Sequence, residues 1–393
     1  MFGKSSTKVK EKLAVVFDVG SASVGGALFS VQDQGVPKIL YSVREPITLE
    51  QEVDADRFLI LTMNTLEIVA SKISKAGVGA PDKVFCILSS PWYISQTRVI
   101  KLKKNTPFVF TSKLADELIQ KEISIFREEH MDKYFKAGNP VRSIELKNIK
   151  TLLNGYETST PLNQKVEEVE MIVFISMSGE EVLKKMEDTI DKHFTHKNII
   201  FSSFAMASFT VVRDIFIHQD HFLLVDVAGE MTDISMVKKG VLRESVSFPI
   251  GRNFMIREAA SLLSCSLNEA ESCISLFKDG HASLETQKKV EPVISKLKRE
   301  WLEKFQESLA NLSSDISIPA TIYLAVDEDF KDFFSQTIKT EQFSQYTLTE
   351  SKFEVVFLGK ELFHDLVAFK EDAERDSFLI IGSIYIHRFL NKI

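Results

Sequence analysis

The chain has 393 residues, 44% hydrophobic and 26% charged, with 16 glycines and 10 prolines. These values fit a folded protein of two or three units and exclude wholesale disorder, collagen-like repeats and low-complexity classes. With 48 basic against 55 acidic residues the net charge is −7, which provides no broad electrostatic footprint for a nucleic-acid backbone.

The basic N-terminus MFGKSSTKVKEK is followed by an apolar run that stops at Asp18, too short for the core of a signal peptide. No later stretch approaches the ~18 apolar residues of a membrane span. Three cysteines, Cys86, Cys265 and Cys273, form no CxxC pair and no metal spacing, in keeping with a reducing compartment. A cytosolic protein is expected, with membrane contact only indirect.

Residues 13–17 (LAVVF) read as a buried strand ending in Asp-Val-Gly, and residues 25–31 as its partner across a Gly/Ser turn. Residues 56–74 carry apolar side chains at helical spacing, with Asp54 or Asp56 near the start. Residues 83–89 form another buried-type strand, broken by Ser90-Pro91. An amphipathic helix follows over 112–129, then a turn cluster at 136–140; Asn105-Thr-Pro107 and Pro161 mark loops. Strand character returns over 168–178, a charged helix spans 179–193, and 199–216 is a strand leading into an apolar helix. Residues 221–227 (HFLLVDV) make a core strand ending at Asp226, with antiparallel partners over 232–237 and 242–249. The pattern is helical over 254–311, with Gly280 as its main break. Within it, 296–303 (KLKREWLE) reads as a solvated face with Trp301 partly buried. A strand over 318–326 and an apolar helix over 377–390 close the chain. The histidine pairs His193/His196 and His218/His221 have no accompanying ligands and read as surface residues.

The whole is α/β, and each half opens with the same device: an apolar strand ending in Asp-Val-small, a hydroxyl-bearing turn, and a second strand. The two turns are DVGSASVG (18–25) and DVAGEMTD (226–233). Such a turn exposes successive backbone N–H groups and Ser/Thr hydroxyls that can cradle phosphate, while the strand-end carboxylate can hold a hydrated Mg²⁺. Taken singly, each is equally an ordinary hairpin with a capping aspartate.

At these residues the sequence resembles the actin/DnaK/sugar-kinase ATPase superfamily, and within it the FtsA and PilM branch. The first turn and the leading MFGK…VVFDVGSAS are similar to that branch, as is the order strand, helix, strand, second turn over 169–233. GVLRESVSFPIGRN (240–253) resembles the family's strand pair before a helix start, and FLIIGSIYIHRFL its closing helix. The resemblance implies a two-lobed actin-like (ribonuclease-H-like duplicated) fold with an inserted SHS2-type subdomain. The first lobe would comprise 1–83, 168–217 and 376–393, and the insert 84–167. The second lobe would comprise 218–251 and 316–375, with a helical small subdomain over 252–315.

The resemblance also implies ATP and Mg²⁺ as ligands. Asp18 and Asp226 would face the metal. Gly20, Ser21, Ala22, Ser23, Gly229 and Thr232 would face the phosphates, and Lys298 and Arg299 would lie near the base. Several positions depart from the family pattern. Ala228, Glu230 and Met231 replace two glycines and a threonine of the second turn. Ser202-Ser203 replace the Glu-Pro whose acid helps orient attacking water, and Asp327, Glu328 and Asp329 replace a glycine-rich adenosine loop. Glu230 and the acidic loop place anions where phosphates would approach, so an eroded nucleotide site without hydrolysis is expected.

The implied role is that of an adaptor or scaffold binding a division filament protein, as FtsA does, or a peptide of an inner-membrane pilus protein, as PilM does. The insert would face the partner, with self-association as a further option and nucleic acid as no partner. The sequence ends on its closing helix without the amphipathic tail of FtsA, which favours the PilM-like role. The alternative is a working Mg-ATPase or small-molecule kinase of the same superfamily, using Asp18, Asp226, Ser21, Ser23 and Thr232.

Overall fold

A computed structural model describes residues 12–32, 35–134, 140–194, 198–278, 280–312, 318–340 and 352–390. The basic N-terminal segment before Lys12, most of the 136–140 turn cluster and His196 lie outside the described residues. In chain order, β1 (Lys12–Val19), β2 (Ser23–Val31) and β3 (Lys38–Pro46) precede helix α1 (Ala55–Lys75) and β4 (Lys83–Leu88). Then come β5 (Ile94–Phe110), α2 (Ser112–Tyr134), β6 (Val141–Leu153), β7 (Tyr156–Glu157) and β8 (Gln164–Gly179). The chain continues through α3 (Glu180–Asp191), β9 (Ile199–Ser203) and α4 (Phe204–Ile215). Strands β10 (Phe222–Val227), β11 (Thr232–Lys238) and β12 (Val241–Phe248) open the second half. Helices α5 (Arg252–Leu263), α6 (Leu267–Lys278) and α7 (Leu284–Leu312) follow. The last elements are β13 (Thr321–Val326), α8 (Lys331–Thr340), β14 (Glu354–Phe357), β15 (Ala368–Phe369) and α9 (Ser377–Leu390).

The duplication suspected from the two turns is visible in the strand order. One sheet runs β15-β3-β2-β1-β4-β9 and the other β12-β11-β10-β13-β14. In both, three antiparallel strands are extended by two parallel ones, and the first strand of each half is central. Central strands buried on both faces must be continuously apolar, as β1 and β10 are until each reaches its aspartate. This is the two-lobed actin-like arrangement.

Helix α1 starts at Asp54, whose carboxylate accepts the Arg57 N–H at 2.7 Å, and buries Leu59, Leu66, Val69, Ala70 and Ile73. Gly26 lets it lie close on β2, because a Cβ there would stand 2.3 Å from the Ile73 Cδ1 atom. Helix α9 is buried continuously from Leu379 to His387 and packs between the lobes, as a helix apolar all round must. Its core takes side chains from both lobes: Val16, Phe29 and Ile87 from the first, Leu224 and Tyr323 from the second.

The third sheet, β5-β8-β6-β7, is the insert, with Ile123 and Phe126 of α2 in its core. The strands of this sheet run from Ile94 to Gly179. Strand β4 hydrogen-bonds β1 and β9 of the first lobe, whereas residues 168–179 stay on β8 of the insert. Residues 105–107, expected as a loop, lie inside the span of β5 as a local irregularity between Lys103 and Phe108. Proline lacks the N–H that a continuous ladder requires there. The long helical region breaks at Ser264, in the left-handed conformation with φ 52°, as well as near Gly280. Trp301 is fully buried rather than partly so, because Phe305, Phe334 and Phe248 enclose its ring.

Candidate functional site

Each lobe's first strand ends at the interface between the lobes, so the two turns meet. Asp18, Gly20, Ser21, Ala22, Ser23, Asp226 and Gly229 line one small crevice together with Arg44, Asp327 and Phe378. Its volume is about 30 Å³, the space of roughly one water molecule. The turns touch: a Cβ on Gly229 would stand 2.6 Å from the Ser21 carbonyl, so only glycine fits there.

The groups that would cradle phosphate are engaged with the chain itself. The Gly20 N–H donates to the Ser23 carbonyl at 3.2 Å, and the Ala228 N–H to the Met231 carbonyl at 3.0 Å. The Glu230 N–H donates to Ser21 Oγ at 3.0 Å, crossing from one lobe to the other. Ser23 Oγ accepts Arg44 Nη1 at 2.9 Å. The buried Thr232 hydroxyl donates to the Ile250 carbonyl at 2.6 Å and accepts Trp301 Nε1 at 3.1 Å. At the start of α5, the N–H groups of Arg252 and Asn253 go to the carbonyls of Ala228 and Gly229.

The charges are answered internally as well. Asp18 Oδ2 accepts Arg44 Nη2 at 2.8 Å, and the same guanidinium bonds both oxygens of Asp376. Gly25 makes the room, since a Cβ there would come within 2.7 Å of Arg44 Nη2. Asp376 also accepts the Leu379 N–H at 2.9 Å, so it caps α9 and anchors the guanidinium together. Burial pushes Asp18 above the ordinary carboxylate range despite Arg44, which pulls the other way. For Asp376 burial also pushes upward, but Arg44 and the backbone N–H groups of Leu379 and Phe378 together hold it below that range. Asp226 has no such cation. Burial first, then the nearby Asp233, Asp18 and Asp327 carboxylates, raise it well above its usual value. In the acidic loop, Asp327 pairs with Arg252 at 2.7 Å and Glu328 with Lys331 at 2.5 Å.

Glu230, the residue least expected in a phosphate turn, folds back onto α5. Its carboxylate accepts Asn253 Nδ2 at 2.9 Å and makes a two-pronged pair with Arg257. Lys298 and Arg299 do not reach the crevice: Lys298 lies over the Phe333 ring, 5.1 Å from its centroid, and Arg299 is exposed.

The actin-like fold implies a nucleotide and Mg²⁺ in this crevice, and the residues present do not fit them. A ligand pocket for a molecule of that size takes roughly 300 Å³ or more, against the 30 Å³ found. Magnesium usually keeps several of its waters, and there is room for about one. Oδ1 of Asp18 and Oδ1 of Asp226 have no hydrogen-bond partner, so each strand-end carboxylate keeps one oxygen unspent beside a crevice too small for the hydrated ion. No group of three or more potential metal ligands occurs among the described residues.

Sequence reasoning missed Arg44, Asp376 and Arg257. A lone arginine inside the strand sequence KILYSVREP was the one available signal. It also missed Glu145 of β6, which reaches the helix start occupied by Ser202-Ser203. Its buried carboxylate accepts the Tyr385 hydroxyl at 2.5 Å and the Ser203 hydroxyl at 2.9 Å, tying the insert to α4 and α9.

No protein-family model and no curated protein sequence matches the chain. Among solved structures, a PilM–PilN type IV pilus biogenesis complex aligns over 95% of this chain and 97% of its own, with TM-score 0.61 and 13% identity. The fold is that of the actin-like ATPases, in the form seen in PilM. The ethanolamine utilization protein EutJ from Carboxydothermus hydrogenoformans aligns over 97% of this chain and 91% of its own, with TM-score 0.44 and 12% identity. A Bacteroides thetaiotaomicron protein with actin-like ATPase fold aligns over 98% and 99%, with TM-score 0.39 and 9% identity. At these identities the likeness to PilM is one of fold.

Proposed function

We propose that this chain is a PilM-like adaptor: an actin-fold protein that acts by binding other proteins and does not turn over nucleotide. The observation that carries this reading is the crevice, which is small and where the hydroxyls of Ser21, Ser23 and Thr232, the N–H groups of Gly20, Ala228 and Glu230, and one oxygen of Asp18 bond within the chain. The partner is a cytosolic peptide of an inner-membrane pilus protein, a reading supported by the fold shared with PilM in its complex with PilN. Among the described residues no helix is long and apolar enough to cross a membrane.

A groove of about 580 Å³ between the insert and the second lobe has the size for a peptide segment. Pro91, Ile94 and Gln96 line one wall, and Val246, Phe248 and Asn311 line the other. The test is calorimetric titration of the full chain with the cytosolic peptide of its own organism's inner-membrane pilus protein. Micromolar binding, roughly −8 kcal/mol, is expected, with at least a tenfold loss in Val246→Glu. Capture of a division filament protein instead would move the role to cell division. Capture of neither, together with turnover of Mg-ATP, would replace the adaptor with the ATPase or kinase alternative.

A further inference from the structure

We infer that the partner binds as an added strand on the open edge of β12, and that the segment it presents is extended and uncharged. This deepens the adaptor reading, on which it rests for the existence of a peptide partner, by assigning the mode of recognition and the class of sequence recognised.

Successive residues of a strand point to opposite faces, so a cavity lined by an unbroken run of them lies along the strand's backbone edge. The groove between the insert and the second lobe has two such runs: residues 245–249, from β12 and just beyond it, and residues 93–96 at the start of β5. Strand β12 is outermost in the second-lobe sheet, and β5 is outermost in the sheet of the insert. Among the described residues no backbone hydrogen bond joins the two. Every second residue of β12 directs its N–H and C=O to β11, and the residues between direct theirs away from it, on the side where the groove runs. An occupant that shields those groups from water must supply matching C=O and N–H groups, as an extended peptide does and a helix cannot.

The two faces of β12 set the side chains that the added strand carries. On one face Ser245 and Ser247 stand opposite Ser235 and Asp233, and Asp233 accepts the Ser90 hydroxyl of the first lobe at 3.0 Å. On the other face Val246 and Phe248 join the core of the second lobe, where Phe248 meets the Trp301 ring of α7. Side chains of an added strand therefore lie alternately against hydroxyls and against apolar surface. Charge adds a second constraint. Lys304 and Glu307 pair with each other at 2.6 Å, and Asp233 is taken up by Ser90 and Ser247. A charged side chain entering the groove would lose its water for no ion pair in return. That argues against β5 of a second copy, which carries Arg98, Lys101, Lys103 and Lys104. At about 580 Å³ the groove admits a segment of chain and no folded domain.

The experiment uses the full chain, with the cytosolic peptide of its own organism's inner-membrane pilus protein as the probe. Amide exchange along β12 is followed by mass spectrometry with residue-level fragmentation, with and without saturating peptide. Alternate amides within 243–248 should slow by at least about tenfold, and the intervening ones, already bonded to β11, should stay as they are. In parallel the peptide is N-methylated at one backbone position at a time, which removes a donor and keeps the side chain. Affinity should fall by at least about tenfold at every second position of the bound stretch, and by as much when a lysine replaces an uncharged residue within it. Binding without protection of β12, or an N-methyl scan without a period of two, would overturn the inference and leave the adaptor role standing. Undiminished binding of the lysine-substituted peptide would overturn the uncharged class. A peptide that does not bind at all overturns the adaptor reading and this inference together.

Discussion

The two aspartate turns start from nearly the same sequence device, yet their charges are settled in opposite ways. In the first lobe, Asp18 is buried against Arg44, and the ion pair extends to Asp376 and Ser23. In the second lobe, Asp226 has Asp233, Asp18 and Asp327 around it and no hydrogen-bond partner for Oδ1. Burial raises both carboxyls above the ordinary range; in the first turn Arg44 opposes that rise, and in the second the neighbouring acids add to it. A duplicated backbone therefore does not carry duplicated electrostatics, because the partner of each carboxylate comes from elsewhere in the chain.

The largest effect on that contrast is expected from Arg44→Met. Removing one partner of a mostly buried ion pair costs about 3–5 kcal/mol, and here two carboxylates lose the same cation. Without it, Asp18 and Asp376 bind protons more tightly in the folded state. The loss measured by urea denaturation should then be larger at neutral pH than at mildly acidic pH. A loss no greater than that of a surface substitution would break the contrast from the first-lobe side.

Tyr385→Phe comes next. It withdraws a hydroxyl donor from the buried Glu145 carboxylate, a bond to a charged acceptor worth roughly 1.5–3 kcal/mol. Denaturation followed separately by insert and core fluorescence would show whether the insert loosens first. An unchanged midpoint would remove this tie between insert and closing helix.

Asp226→Asn sharpens the comparison through pH. Below about pH 4 both folded and unfolded chains hold this proton. As pH rises the unfolded carboxyl ionises first, while the folded one, its pKa raised, keeps its proton, so wild type loses stability until the folded group ionises too. Relative to wild type, D226N should gain stability steadily from pH 4 upward. A variant that loses stability over that range would mean that Asp226 has a cationic partner, as Asp18 has in Arg44. The smallest effect belongs to Lys101→Ala on the solvent face of the insert. Its pair with Glu170 is exposed, and equilibrium unfolding should show no measurable change.

Much of the architecture was legible in local pattern. Helix 377–390 coincides with α9, and the apolar runs ending in Asp18 and Asp226 became the central strands β1 and β10. The insert was harder to read. Residues 94–110 and 141–153 alternate with charged side chains that pair across strands, so their solvent face hides the strand pattern. The site was legible only in its turns. Asp18, Ser21, Ser23, Asp226 and Gly229 were identified by type and spacing, and they do share one crevice.

What the sequence alone determined is therefore the repeated strand-turn device, the order of the elements and the residue types of the two turns, because each is written in neighbouring residues. Tertiary structure decided which distant groups meet around the two turns. Arg44 meets Asp376 across 332 residues of chain, Glu230 meets Arg257 across 27, and Trp301 reaches Thr232 across 69. Periodicity and propensity act over a few residues, whereas the fate of a buried charge depends on which distant group the closed fold places beside it.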